Sequence, residues 1–125
     1  MLPKNERLKD RYLFNLVFKK KFKLYSRFLT LYYLRGKKDI NMFPKSAFAV
    51  GLNIDTRATR RNLIKRRIRE AYKIVKKKIP KISVLIWVAN PPIKDATFIQ
   101  VKDSVHNLLS KLEQESNTFE GIGKH

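Results

Sequence analysis

The sequence predicts one small α/β domain, in which a mixed sheet carries helices in the order helix, strand, strand, helix, strand, helix. Three observations lead there. A chain of 125 residues has room for one core. Its 43% apolar and 11% aromatic content is enough to offset the entropy of ordering it. Segments of helical period alternate with short apolar runs bounded by turn residues. The domain is expected over residues 1–112, and residues 113–125, polar and glycine-containing, are expected to fray.

Each element has its own signal. Asp10 can cap a short helix whose inner face holds Leu13, Phe14, Val17 and Phe18 before the chain turns basic at Lys19, Lys20, Lys21 and Lys23. Phe28 to Leu34 reads as a strand stopped by Arg35-Gly36, and Gly36 to Lys45 as a loop. Ser46 to Ile54 reads as a second strand. Its small residues Ala47, Ala49 and Gly51 suggest close packing on one face, and the loop between the two strands suits an antiparallel pair. From Arg57 or Thr59 to Ile79, apolar residues at 64, 68, 71, 72, 75 and 79 form a helical stripe, and Pro80 denies that helix a donor. Ser83 to Asn90 is apolar on both alternations, as in a central strand. Thr97 and Gln100 can form a capping box for a last helix with Phe98, Val101, Val105, Leu108, Leu109 and Leu112 on one face. Strands two and three, joined through a helix, should lie parallel.

The charge is the least ordinary feature. Against 10 acids stand 29 Lys and Arg, a formal net charge of +19, which calls for a polyanionic partner. Residues 57–81 hold twelve bases and one acid, Glu70, and residues 1–39 hold twelve bases and three acids. At about 100° per residue from Ile64, the side chains of Asn62, Lys65, Arg66, Arg69, Lys73 and Lys76 share one arc, away from the apolar stripe. A solvated helix face ordinarily mixes acids with bases at four-residue spacing; this one accumulates mutually repelling cations, which phosphates would neutralise. Phe14, Phe18, Tyr32 and Tyr33 admit two readings, as core or as a surface on which unpaired bases stack. Tyr72 and Trp87 read as core.

Several classes are disfavoured. With no cysteine there is no disulfide framework, thiolate nucleophile or thiolate zinc site. The longest apolar run, Ser83 to Ala89, is far short of the roughly 20 residues of a membrane helix. The first residues do not read as a secretory signal, so a cytoplasmic location is expected. Asp55 and Glu70 are acids isolated among cations, and His106 and His125 form no acid–base pair, so catalysis by the chain itself is not expected. A helix-turn-helix DNA regulator fits poorly because strands flank the basic helix, and a membrane-surface helix fits poorly because the sheet covers its apolar face. A structural RNA-binding protein of the ribosomal kind remains open on charge and size alone.

The run Arg61-Asn62-Leu63-Ile64-Lys65-Arg66-Arg67-Ile68-Arg69-Glu70 resembles the signature helix of the bacterial ribonuclease P protein family, Arg-Asn-Arg-x-Lys-Arg followed by x-x-Arg, with Leu63 in place of the second arginine. Arg7-Leu8-Lys9, Phe14 and Val17-Phe18 are similar to the family's opening helix, and Val50-Gly51-Leu52 falls where its second strand leads into the crossover. The segment Asp55–Arg60 looks about three residues shorter than the family's loop. The resemblance implies an α/β sandwich with a left-handed strand–helix–strand crossover, contrary to the usual hand. It also implies a subunit of the ribonucleoprotein endonuclease that removes the 5′ leader from precursor tRNA. The catalytic groups and magnesium are then expected on a partner RNA and the substrate. The resemblance assigns RNA-subunit contacts to Arg60, Arg61 and Asn62 and, further along, to Lys65, Arg66, Arg69 and Lys73. Phe14, Phe18 and Tyr32 would line the leader cleft.

Overall fold

The structure is a computed structural model that describes residues 2–20, 22–36, 43–79 and 82–123, with side chains as far as Glu115. Its elements are α1 (Arg11–Lys20), β1 (Lys23–Tyr25), β2 (Leu29–Arg35), β3 (Lys45–Ala49), α2 (Ala58–Val75), β4 (Ile82–Ala89) and α3 (Phe98–Gly123). Short 3-10 turns stand at Lys4–Glu6 and Pro91–Asp95. The six expected elements occur in the expected order, with β1 added at the edge. The sheet order is β1-β2-β4-β3; β4 pairs antiparallel with β2 and parallel with β3.

The double alternation of β4 explains its central place. Leu85, Trp87 and Ala89 join Leu29, Leu31 and Tyr33 of β2 in a core closed by α2 and α3. Val84, Ile86 and Val88 face the other way, with Tyr32 and Leu34, beneath α1. The helices therefore form two layers around the sheet, α2 and α3 on one face and α1 on the other. Ile64, Ile68, Ala71 and Tyr72 of the α2 stripe are buried, as are Val101, Val105, Leu108, Leu109 and Leu112 of α3. At about 25 cal/mol per Å² of apolar surface, each fully buried Val, Leu or Ile among them contributes roughly 1.5–3 kcal/mol.

Helix starts follow their caps. Asp10 Oδ1 accepts the backbone N–H of Tyr12 at 2.9 Å and of Leu13 at 3.4 Å. Thr97 and Gln100 make the reciprocal capping box, Thr97 N–H to Gln100 Oε1 at 2.9 Å and Gln100 N–H to Thr97 Oγ1 at 3.2 Å.

Four features depart from the sequence expectation. The strands at 29–35 and 45–49 are not neighbours, because β4, apolar on both faces, pairs with both and separates them. β3 ends at Ala49, and the following residues turn, with Ile54 N–H bonded to Gly51 O at 3.1 Å. Gly51 lies in this turn and not on a strand face; a β-carbon there would stand 2.6 Å from Asn53 Oδ1, the end of a side chain that can move aside. α2 ends at Val75, four residues before Ile79. Lys76 takes an extended ψ of 146° and bonds Glu6 Oε1 at 2.7 Å, while Ile79 is buried outside the helix; Pro80 lies outside the described residues, as does most of the expected 36–45 loop. α3 continues beyond Leu112 to Gly123, where a polar tail was expected; residues 113–120 contain no Gly or Pro to stop it.

Candidate nucleic-acid interface

α2 lies against the sheet through its apolar stripe, which turns its basic arc outward. Asn62 and Arg66 are exposed, and Lys65, Arg69 and Lys73 are half-buried. Among the described residues, none of Lys65, Arg66, Arg69 and Lys73 has an acidic oxygen within ion-pair distance. Arg69 lies over the Phe48 ring, whose centroid is 6.0 Å from its guanidinium. Phe48 in turn meets Tyr72 at 5.9 Å and Tyr72 meets Trp87 at 5.8 Å, so this cation stands at the end of an aromatic line running into the core.

The basic residues at the two ends of α2 are differently placed. Lys76, grouped with the basic arc by periodicity, is half-buried and paired with the buried Glu6 at 2.7 Å; it fastens the N-terminal segment to the end of the helix. Lys77 stands 3.7 Å from Glu113 on α3. At the other end, the side chain of Asp55 is 3% exposed and gathers three cations, Arg57 at 3.0 Å, Lys94 at 3.5 Å and Arg60 at 4.0 Å. Arg57 binds both carboxylate oxygens and also donates its backbone N–H at 2.8 Å. These hydrogen bonds hold the Asp55 carboxyl well below its ordinary value of 3.8, against the opposing effect of burial. Arg61 turns back on the same loop, donating from Nη1 to the carbonyls of Asp55 at 3.1 Å and Thr56 at 2.8 Å. The short 55–60 segment is thus a knotted anion–cation turn that sets the start of α2. Arg60 and Arg61 are part of it, one turn before the unpaired cations.

On the opposite face of the sheet, Phe14, Phe18 and Tyr32 come together. The centroids of Phe14 and Phe18 are 5.1 Å apart and those of Phe18 and Tyr32 4.7 Å. All three are half-buried, so each is at once part of the packing beneath α1 and part of its surface. Strand alternation separates them from Tyr33, which points into the α3 side. There its hydroxyl donates to Glu115 Oε2 at 2.9 Å, its ring stacks on Phe22 at 5.8 Å, and burial followed by Glu115 pushes its pKa up to about 12.

Sequence reasoning reads Asp55 as a local salt-bridge partner, and Arg57 is that partner; it misses Lys94, which is distant in the chain and carries no local signal. It also missed β1, although the alternation Phe22, Lys23, Leu24, Tyr25 is a strand pattern. Among the described residues no group of three or more His, Cys, Asp or Glu could hold a metal ion, and no helix is long and apolar enough to cross a membrane.

A basic helix backed by a mixed sheet, with an aromatic cluster on the far face, defines a small α/β protein with a cationic flank. The ribonuclease P family model matches residues 2–113, and the chain belongs to that family. It is 31% identical over 96 residues to the ribonuclease P protein component of Phytoplasma australiense, covering 77% of this chain and 81% of that one. Its identity to the component of Clostridioides difficile (strain 630) is 28% over 92 residues, 70% and 75% of the two chains. The Staphylococcus aureus RNase P protein superposes with a TM-score of 0.71 at 28% identity, covering 88% of this chain and 97% of that one. The Thermotoga maritima RNase P protein does so at 0.69 and 25%, covering 85% and 96%. Membership gives the chain a role in ribonuclease P, and so in tRNA processing with an RNA subunit as partner.

Proposed function

We propose that the chain is the RNA-binding subunit that assists a catalytic RNA in removing the 5′ leader from precursor tRNA. In this reading α2 docks on the RNA subunit through Asn62, Lys65, Arg66, Arg69 and Lys73, with Arg60 and Arg61 at its edge, and the groove of Phe14, Phe18 and Tyr32 holds the single-stranded leader. The observation that carries the proposal is that, among the described residues, Lys65, Arg66, Arg69 and Lys73 of α2 have no acidic oxygen within ion-pair distance. Among the described residues the acids are drawn to Arg57, Lys76 and Lys77, while none is placed against Lys65, Arg66, Arg69 or Lys73. Their mutual repulsion is a standing cost to the free protein that bound phosphates relieve.

The aromatic groove supports the leader assignment. Three half-buried rings offer faces on which unpaired bases stack, at roughly 1–3 kcal/mol per base. Magnesium is placed on the RNA and the substrate, in keeping with the scattered acids of this chain, and cleavage chemistry is left to the RNA. The protein's contribution is to screen phosphate repulsion, which favours metal binding to the assembled RNA, and to position the leader. The test is reconstitution. Precursor tRNA is incubated with the protein alone, with a bacterial catalytic RNA alone at limiting magnesium, and with both. Cleavage that requires the RNA and rises when protein is added is the expected result. Cleavage by protein alone, or indifference of the RNA to the protein, refutes the proposal.

A further inference from the structure

On the α1 face of the sheet the aromatic groove does not stop at Tyr32. β1 pairs antiparallel with β2, so that Lys23 lies opposite Tyr32 and Tyr25 opposite Thr30. Directly paired residues share a face; Lys23 and Tyr25 therefore stand on the Tyr32 side. Tyr25 is 60% exposed and belongs to neither apolar cluster of the core, an unusual placement for a large ring. The ammonium of Lys23 lies near both tyrosines, 5.2 Å from the Tyr25 ring centre and 5.8 Å from that of Tyr32. Two rings thus share one cation at the sheet edge, and the exposed Lys19 and Lys20 stand at the end of α1 that leads towards β1.

We infer that Tyr25, Lys23 and Tyr32 form a further nucleobase subsite, which takes one additional unpaired nucleotide of a single-stranded RNA beyond those held at Phe14 and Phe18. This inference rests on the leader reading of the groove. Tyr25 and Tyr32 are diagonal cross-strand neighbours, a relation that sets β-carbons roughly 7–8 Å apart. A flat base needs about 3.5 Å on each of its faces, so the gap suits one base between two rings. Lys23, beside both rings, keeps its charge within reach of the flanking phosphate. The occupant is RNA on two counts: a base presents a π-face to tyrosine whatever its identity, and the surroundings are cationic. The subsite has no built hydrogen-bonding pattern, so it reads leader length and not leader sequence.

The experiment uses the protein reconstituted with catalytic RNA and a series of precursor tRNAs whose leaders lengthen one nucleotide at a time, with 2-aminopurine at each leader position in turn. The readouts are the ratio of affinities for long and short leaders and the leader position at which fluorescence is quenched. Tyr25→Ala should lower that ratio about five- to tenfold, the lower end of the stacking range because the ring is exposed, and abolish quenching at one outer position. Tyr25→Phe should restore both. Phe18→Ala, run in parallel, should remove quenching nearer the cleavage site. If Tyr25→Ala leaves the ratio and the quenching pattern as they are while Phe18→Ala changes them, the subsite is overturned and the leader groove stands. If neither variant has a leader-length dependence, the groove assignment itself fails.

Discussion

Replacing Arg66 and Lys73 together by alanine should flatten the salt dependence of RNA binding without unfolding the protein. Both lie on the outward side of α2, and neither is ion-paired among the described residues. Seven residues apart, their α-carbons are about 10 Å apart along the helix, so each can meet a different phosphate. Neutralising one phosphate contributes about 0.7–0.9 to the slope of log K against log salt. Loss of two contacts therefore lowers the slope by about 1.6, and over a fourfold change in salt concentration the variant should lose roughly ninefold less affinity than the wild type. The assay is filter binding to the catalytic RNA at several potassium concentrations, with thermal denaturation as the check on folding. Lys77→Ala is the control, because Lys77 stands 3.7 Å from Glu113. An unchanged slope in the double variant, or an equal fall in the control, would refute the assignment of this face to RNA.

Other outcomes follow from the same contacts. Lys76→Met should destabilise the fold by up to about 3 kcal/mol, since it strands the buried Glu6 without its partner. Adding Glu6→Gln should recover much of that loss in urea denaturation, and failure to recover would remove the pair's structural role. Phe18→Ala should weaken binding of precursor tRNA with a long leader more than with a minimal one, and equal losses would return Phe18 to a packing role. Asp55 has a depressed folded-state pKa, so its stabilising effect is present above 3.8 and is lost as pH falls below that value. Asp55→Asn should therefore make stability less sensitive to acid, an outcome that parallel pH-dependent melts of variant and wild type would contradict. Tyr33 has the opposite sign. Its pKa rises from 10.0 to about 12, so its contribution is intact below pH 10 and is lost as pH rises from 10 towards 12. Tyr33→Phe should be correspondingly less sensitive to alkali in melts across that range, and identical alkaline profiles would dismiss the buried hydroxyl as their source.

Periodicity and caps by themselves determined the three helices, the strand on which the sheet is centred, and the face of α2 that must look outward. These are local consequences of side-chain spacing: Ile64, Ile68, Ala71 and Tyr72 can share one side only if the helix is where it is, and Asp10 and Thr97 mark the starts of α1 and α3. The basic arc was legible for the same reason, being the complement of that stripe. Its membership was not. Lys76 has the same periodicity as Lys73, yet Glu6, 70 residues away in sequence, takes it out of the arc. Asp55, isolated among cations when the chain is laid out in line, becomes the centre of a loop once Lys94 is brought beside it. Tyr32 and Tyr33 are adjacent and chemically alike; only the pleat of β2 and the layers on either side assign one to the groove and the other to Glu115. Strand order belongs with these. β2 and β3 follow one another along the chain, but β4 offers both of its edges and both of its faces, and it takes the place between them. Pairing of groups distant in the chain depends on a free-energy comparison over the whole molecule, and no local pattern of residues contains it.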